Sequence, residues 1–280
     1  NCKKQGLLGI CNDPGSINSR CLFSEATKIN LLIISPKLCR VCNTERMVNY
    51  LKTQFPGLIV SYLYYPDAKA NKLVKDFQIQ FLPVYLLGKE IEKEKNFDNL
   101  KENLEIKGDF YMLKPERSGI SYFLDRKKVK GKLDLFISLY DKDIYELLDM
   151  LKEFAPVVHF LAVEQTNDRF DAAKGNLEVE DYLRAVCIEK YYPQNFWDYI
   201  SCRGKLNNSS WWEDCTAKLD IEKVKTCARS QEGRDLLKEN IHLNKELKVM
   251  FGPAYLIDNQ EVFSSNGVPI KEKFKKIIER

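Results

Sequence analysis

The chain has 280 residues, 44% of them hydrophobic and 30% charged, a composition that fits folded domains and a length that allows two of ordinary size. Its 44 Lys and Arg against 40 Asp and Glu leave a net charge of only +4, which makes no case for nucleic-acid binding, where a concentrated basic face is usual. No stretch approaches the roughly 20 apolar residues that span a bilayer, and nine cysteines beside two histidines point to a disulfide framework formed in an oxidising compartment: periplasm, cell surface or secreted.

The sequence opens on Asn1, as expected where an upstream signal or anchor has been cleaved or where the sequence simply starts at a chosen boundary. Residues 1–28 form a cysteine-bearing segment. Of Cys2, Cys11 and Cys21, one pair, assigned to Cys11 and Cys21, is expected to close a small loop around "NDPGSIN" and leave the third over. Asn30–Ser35 then reads as a strand. Met47, Tyr50, Leu51 and Phe55 mark one face of a helix that stops at Pro56, and Leu58–Leu63 reads as a second strand. "LPVYLLG" (82–88) is a third strand. A closing helix is expected near 95–105, with Phe97, Leu100 and Leu104 inward. Residues 106–131 form a connecting stretch. "DFYML" and "ISYFL" within it read as an edge hairpin, and the basic run Arg126–Lys132 as a solvated linker.

From residue 132 the pattern repeats. Leu133–Ser138 is a strand, and Ile144, Leu147, Leu148, Leu151 and Phe154 share a helical face. Val157–Ala162 is a strand, and "GPAYLID" (252–258) parallels "LPVYLLG". A helix near 269–279 puts Phe274, Ile277 and Ile278 inward. Two features separate the copies. The second has "LYDKD" where the first has "SPKLCRVCNTERM", and it carries a helical insertion at about 170–248 with Cys187, Cys202, Cys215 and Cys227. Nested bridges are expected there, Cys202–Cys215 inside Cys187–Cys227, each contributing about 2–4 kcal/mol. The insertion's aromatics (Tyr191, Tyr192, Phe196, Trp197, Trp211, Trp212) fit helix packing better than a peptide groove. His159 and His242 make no case as general bases. The expected fold class is α/β, with domains at 29–105 and 132–280 in tandem.

Cys39 and Cys42, two residues apart after a strand and before a helical pattern, together with Pro83 opening a later strand, resemble the thioredoxin superfamily over about residues 29–105. Residues 132–280 resemble the same fold with a helical insertion, as in bacterial periplasmic disulfide oxidoreductases of the DsbA type. The resemblance implies that Cys39 attacks a partner's sulfur and Cys42 resolves the mixed disulfide. Both sulfurs would sit at a helix's first turn, where unpaired N–H groups favour the thiolate. Arg40 and Lys37 would add positive charge. Pro83 would be cis and would hold the backbone of Leu82 open as a short edge for the partner chain.

No cofactor is implied, because the sulfurs carry the electrons. The implied partners are protein thiols and disulfides, plus a membrane redox partner: a quinone-linked oxidase or a thiol donor. An easily ionised Cys39 favours an oxidant or isomerase over a reductant. One departure stands out. Many members carry a buried carboxylate six residues before the first cysteine, and here that position is Ile33. Water or Glu45 must then move the resolving proton. The other readings of the pair are an inert bridge in a non-catalytic protein-binding or chaperone-like module, and half of a zinc site completed by Cys11 or Cys21.

Overall fold

The apolar run at residues 29–36 is buried along almost its whole length because it becomes a central strand, β3, with a neighbour on each side. The computed structural model describes residues 2, 7–165, 169–217 and 219–279, so residues 1 and 3–6 of the N-terminal segment lie outside the described residues. Two compact units divide the chain, Asn1–Arg126 and Lys127–Arg280.

Unit 1 begins with a hairpin of β1 (Leu7–Asn12) and β2 (Arg20–Glu25), in which Cys11 lies directly across from Cys21. The bridge, however, joins Cys21 to Cys2, and Cys11 is free and exposed. The expected Cys11–Cys21 bridge is therefore not formed. After β3 (Ile29–Pro36) come α1 (Glu45–Gln54) and β4 (Leu58–Tyr65), which runs parallel to β3. Parallel neighbours need a crossover of this kind. Then follow α2 (Ala68–Asp76), β5 (Phe81–Leu82) and β6 (Val84–Gly88), antiparallel to β3.

Side chains alternate across the sheet. Ile29, Leu31 and Ile33 pack with Val48, Leu51 and Phe55 of the α1 side. Ile34, Val84 and Leu86 pack with Ala70 and Val74 of α2. Tyr50, expected inward, is 44% exposed, and Val48 takes the inward position.

The closing helix is shorter than its pattern. It is α3 (Phe97–Lys101), and Leu104 instead starts β7 (Leu104–Lys107), which turns into β8 (Phe110–Leu113). The turn is Gly108-Asp109, with Gly108 at φ +58°, a backbone region glycine enters freely. This hairpin extends the sheet to the order β4-β3-β6-β8-β7. The expected pairing of "DFYML" with "ISYFL" is thus replaced. A short helix α4 (Pro115–Ser118) leads to β9 (Tyr122–Phe123), which pairs with β5.

Unit 2 opens with β10 (Leu133–Ile137), α5 (Ile144–Leu151) and β11 (Val157–Phe160), parallel to β10. A small ladder of β12 (Ala162–Glu164) and β13 (Phe170–Ala172) comes next. Among the described residues the insertion continues with four α-helices, α6 (Asn176–Tyr191), α7 (Pro193–Lys205), α8 (Ile221–Arg229) and α9 (Gln231–Leu247), and a 3₁₀ turn at Trp212–Cys215. β14 (Ala254–Ile257) then lies antiparallel to β10, and β15 (Glu261–Ser264) and α10 (Lys271–Ile278) end the unit.

Bridges Cys187–Cys227 and Cys202–Cys215 staple the insertion in the nested arrangement. A buried ion pair, Arg203 Nη2 to Asp181 Oδ2 at 2.8 Å, ties α7 to α6. The basic run before β10 is exposed but not loose. Asp258 accepts the Gly131 N–H (2.7 Å), and its backbone bonds both Val129 and Lys132.

Candidate active site

β3 delivers the chain to a loop that leaves the sheet at Lys37 and ends at Thr44. Within it Cys39 and Cys42 are bonded to each other, with Cα atoms 5.6 Å apart, and both are half-buried. The Lys37 N–H bonds the Tyr65 carbonyl (2.9 Å), fixing the start of the loop to the end of β4. At the other end Asn43 Oδ1 accepts the Glu45 N–H (2.8 Å). Thr44 Oγ1 and the Tyr62 hydroxyl share a hydrogen bond of 3.3 Å.

The helix therefore opens at Glu45, three residues after Cys42, and the expectation of sulfurs in its first turn is corrected. The cause is local. Asn43 and Thr44 are helix-capping residue types, and Asn43 already occupies the first free N–H. The helix field falls off within one turn, so it gives Cys39 no thiolate stabilisation of the expected kind. The charge of Lys37 is partly engaged as well, because its ammonium pairs with Asp67 at 3.3 Å in an exposed setting. Arg40 lies half-buried inside the loop.

The Leu82–Pro83 bond is cis. Val84 pairs with Ile34, so Pro83 falls level with Ser35, at the end of β3 from which the cysteine loop departs. Leu82 does not present an open edge. It is fully buried, it pairs with Tyr122 of β9, and its carbonyl takes the Ser121 N–H at 3.1 Å. The exposed apolar group beside the dithiol is Leu38, 89% accessible.

On β3, Ile33 is fully buried, flanked in register by Tyr62 on β4 and Tyr85 on β6. Burial, reinforced by Tyr62, pushes the Tyr85 hydroxyl well above its ordinary range, so it stays protonated.

The remaining candidates lie elsewhere. Cys187 and Cys227 are buried within the insertion, and Cys202 and Cys215 are half-buried there. Phe196 and Trp212 are packed inside, whereas Trp211 is 69% exposed. His159 is held between Asp134 (2.9 Å) and the Asn240 carbonyl (2.7 Å). Among the described residues, no group of three or more His, Cys, Asp and Glu is gathered as a metal site, and no helix is long and apolar enough to cross a membrane.

The sequence reading missed a cluster in unit 2. Glu178 is fully buried and accepts from Ser138, Tyr182 and the Lys174 N–H, while Asp181 holds Arg203, Arg184 and Tyr140. The readable signal was Glu178 one helical turn before Tyr182 on α6, a helix whose buried residues include Glu178, Asp181 and Tyr182.

No family model and no curated relative matches the chain. Among solved structures it is similar to the disulfide oxidoreductase DsbA from Proteus mirabilis, at 16% identity and a TM-score of 0.37, covering 57% of this chain and 91% of that one. It is similar also to Salmonella enterica serovar Typhimurium DsbL (11%, TM-score 0.37, 57% and 94%). A third neighbour is Proteus mirabilis ScsC in a compact conformation (13%, TM-score 0.35, 52% and 80%). At these scores the chemistry of the site must be argued from its own residues.

Proposed function

We propose that the chain is a thiol–disulfide oxidoreductase that works outside the cytoplasm and exchanges disulfides with protein substrates through Cys39 and Cys42. One observation carries this reading: two cysteines bonded across two residues, in a half-buried loop at the end of a central strand, beside an exposed leucine. A structural bridge gains most by closing a long loop, and this one closes almost none.

The exchange balances without a cofactor. A substrate thiolate attacks Cys39 Sγ and forms a mixed disulfide, and the electron pair of the broken bond leaves on Cys42 Sγ. A second substrate thiolate attacks the substrate sulfur of the mixed disulfide and expels Cys39 as thiolate. The substrate loses two electrons and the enzyme's pair gains them. Ile33 cannot carry the associated protons, so they pass to water or to Glu45 at the start of α1.

Oxidation or isomerisation of substrates remains the direction taken from the family resemblance, since the late start of α1 removes the helix-tip support for it. Oxidation requires a partner that restores the disulfide, by family resemblance a quinone-linked membrane oxidase; isomerisation or reduction requires a thiol donor that keeps the pair reduced. Three further bridges support an oxidising compartment. The shared strand–helix–strand start and antiparallel finish of the two units support a tandem repeat of one thioredoxin-like fold, the second lacking the dithiol.

The late start of α1 favours a second reading: an inert bridge in a protein-binding module. Insulin reduction with dithiothreitol separates the two. Wild type should accelerate turbidity, and Cys39→Ser should lose that acceleration by at least a hundredfold. Equal rates in both would remove the catalytic role of Cys39. Wild type no faster than dithiothreitol alone would favour the inert module.

A further inference from the structure

Where unit 1 has its cysteine loop, unit 2 has Leu139-Tyr140-Asp141-Lys142-Asp143, and a cavity of about 340 Å³ opens beside it. This is the lower end of the roughly 300–1,000 Å³ typical of ligand pockets. Its wall combines two chemistries. One part is apolar: Val249, Met250 and Phe251, the last two 60% and 85% exposed although large and hydrophobic. The other part consists of oxygen acceptors. Asp141 and Asp171 both line the cavity, no Lys, Arg or His does, and among the described residues neither carboxylate forms an ion pair. Asp141 Oδ2 takes only the Ser138 N–H (3.3 Å), and Asp171 takes the Gln165 amide (3.2 Å) and the Ala172 N–H (2.9 Å).

Asn244 closes the inner wall at 4% exposure and donates to the carbonyls of Phe160 (2.6 Å) and Ala162 (3.4 Å). Two carboxylates without an ion-pair partner among the described residues, beside an apolar wall with exposed Met250 and Phe251, define what the cavity takes: positive charge joined to an apolar surface.

We propose that this cavity binds an organic cation joined to an apolar body. A lysine or arginine side chain next to a large apolar residue in a polypeptide has that chemistry, and so does a free arylalkyl ammonium. Burial, aided by Glu178, holds the Asp141 carboxyl above its ordinary range, the condition under which a nearby cation gains most. Neither Cys39 nor Cys42 takes part, so the site stands or falls apart from the exchange activity.

The test is calorimetric titration of the full chain with four probes at fixed ionic strength. They are acetyl-Phe-Arg-amide, its uncharged analogue acetyl-Phe-citrulline-amide, 3-phenylpropylammonium and 3-phenylpropanol. Each cation should bind at least tenfold more tightly than its neutral counterpart. Asp141→Asn and Asp171→Asn, checked for an unchanged thermal midpoint or a higher one, should each remove most of that preference. Phe251→Ser should weaken cationic and neutral probes alike. A peptide that outbinds the free amine identifies a polypeptide as the source, and the reverse order identifies a small amine. No binding to wild type, equal affinity for charged and neutral probes, or a preference that survives both carboxylate substitutions would overturn the proposal. The probe comparison on wild type decides the matter even if a variant fails to fold.

Discussion

Ile33, six residues before Cys39 on β3, is fully buried and cannot ionise. Its neighbours across the sheet are tyrosines, and Tyr85 holds its proton too firmly to act as a base. That Ile33 relays no proton was legible in the sequence, because an aliphatic side chain has none to exchange.

Ionisable groups matter more in unit 2. Burial raises the pKa of Asp141 from its ordinary 3.8. For an acid raised on folding, the stabilisation is present below the unfolded value and is lost as pH rises through the folded one. Asp141→Asn should therefore melt higher than wild type at pH 7. The gap should close as pH falls toward the ordinary value, and identical midpoints at pH 7 would contradict the assignment. Among the described residues, Asp181 is paired with a cation where Asp141 is not. At 2% exposure it neutralises Arg203, itself 2% exposed. Asp181→Ala would strand a buried guanidinium, with an expected loss of about 3–5 kcal/mol in urea unfolding. A loss under about 1 kcal/mol would show that the pair is solvated.

At the scale of elements, the buried strands were the readable part. β3 and β10 are near-continuous apolar runs because both faces are covered, and such runs stand out in any sequence. Boundaries that depend on a single polar residue were not so readable. Asn43 and Thr44 delay α1 past the cysteines, and Gly108-Asp109 turns what looked like the tail of a helix into a hairpin. The pairing of Cys2 with Cys21 had no sequence signal, since Cys11 lies across from Cys21 in the very same ladder. The open edge expected at Leu82 was misread for another reason: β9, which covers it, comes from 40 residues further along the chain.

The insertion's bridges allow a quantitative test. Cys187–Cys227 spans 40 residues of sequence and Cys202–Cys215 spans 13. Loop-closure entropy then assigns about 4 kcal/mol to the first and about 3 kcal/mol to the second. Paired Cys→Ala variants compared by urea unfolding should keep that order. A reversed order would mean that packing around each sulfur outweighs the chain constraint.

Over the whole molecule the nine cysteines occupy distinct environments: one exposed thiol, one pair in a surface loop, one bridge at the N-terminal hairpin and two within the helical insertion. Alkylation under rising reductant, read by mass spectrometry, should label them in that sense. Cys11 should react without reductant. Cys39 and Cys42 should come next, under mild reduction. Cys187 and Cys227, at 0% and 3% exposure, should resist until the fold is lost. Simultaneous release of all the bridges would mean that the surface pair is no more reactive than the structural ones.

The central claim is that the Cys39–Cys42 bond is exchanged in use and not kept as a staple. Equilibration of that pair with glutathione, read by mass spectrometry, gives its reduction potential directly. A working pair should lie between about −270 and −120 mV, the range of exchange enzymes. A value below about −300 mV, where structural disulfides lie, would contradict the account.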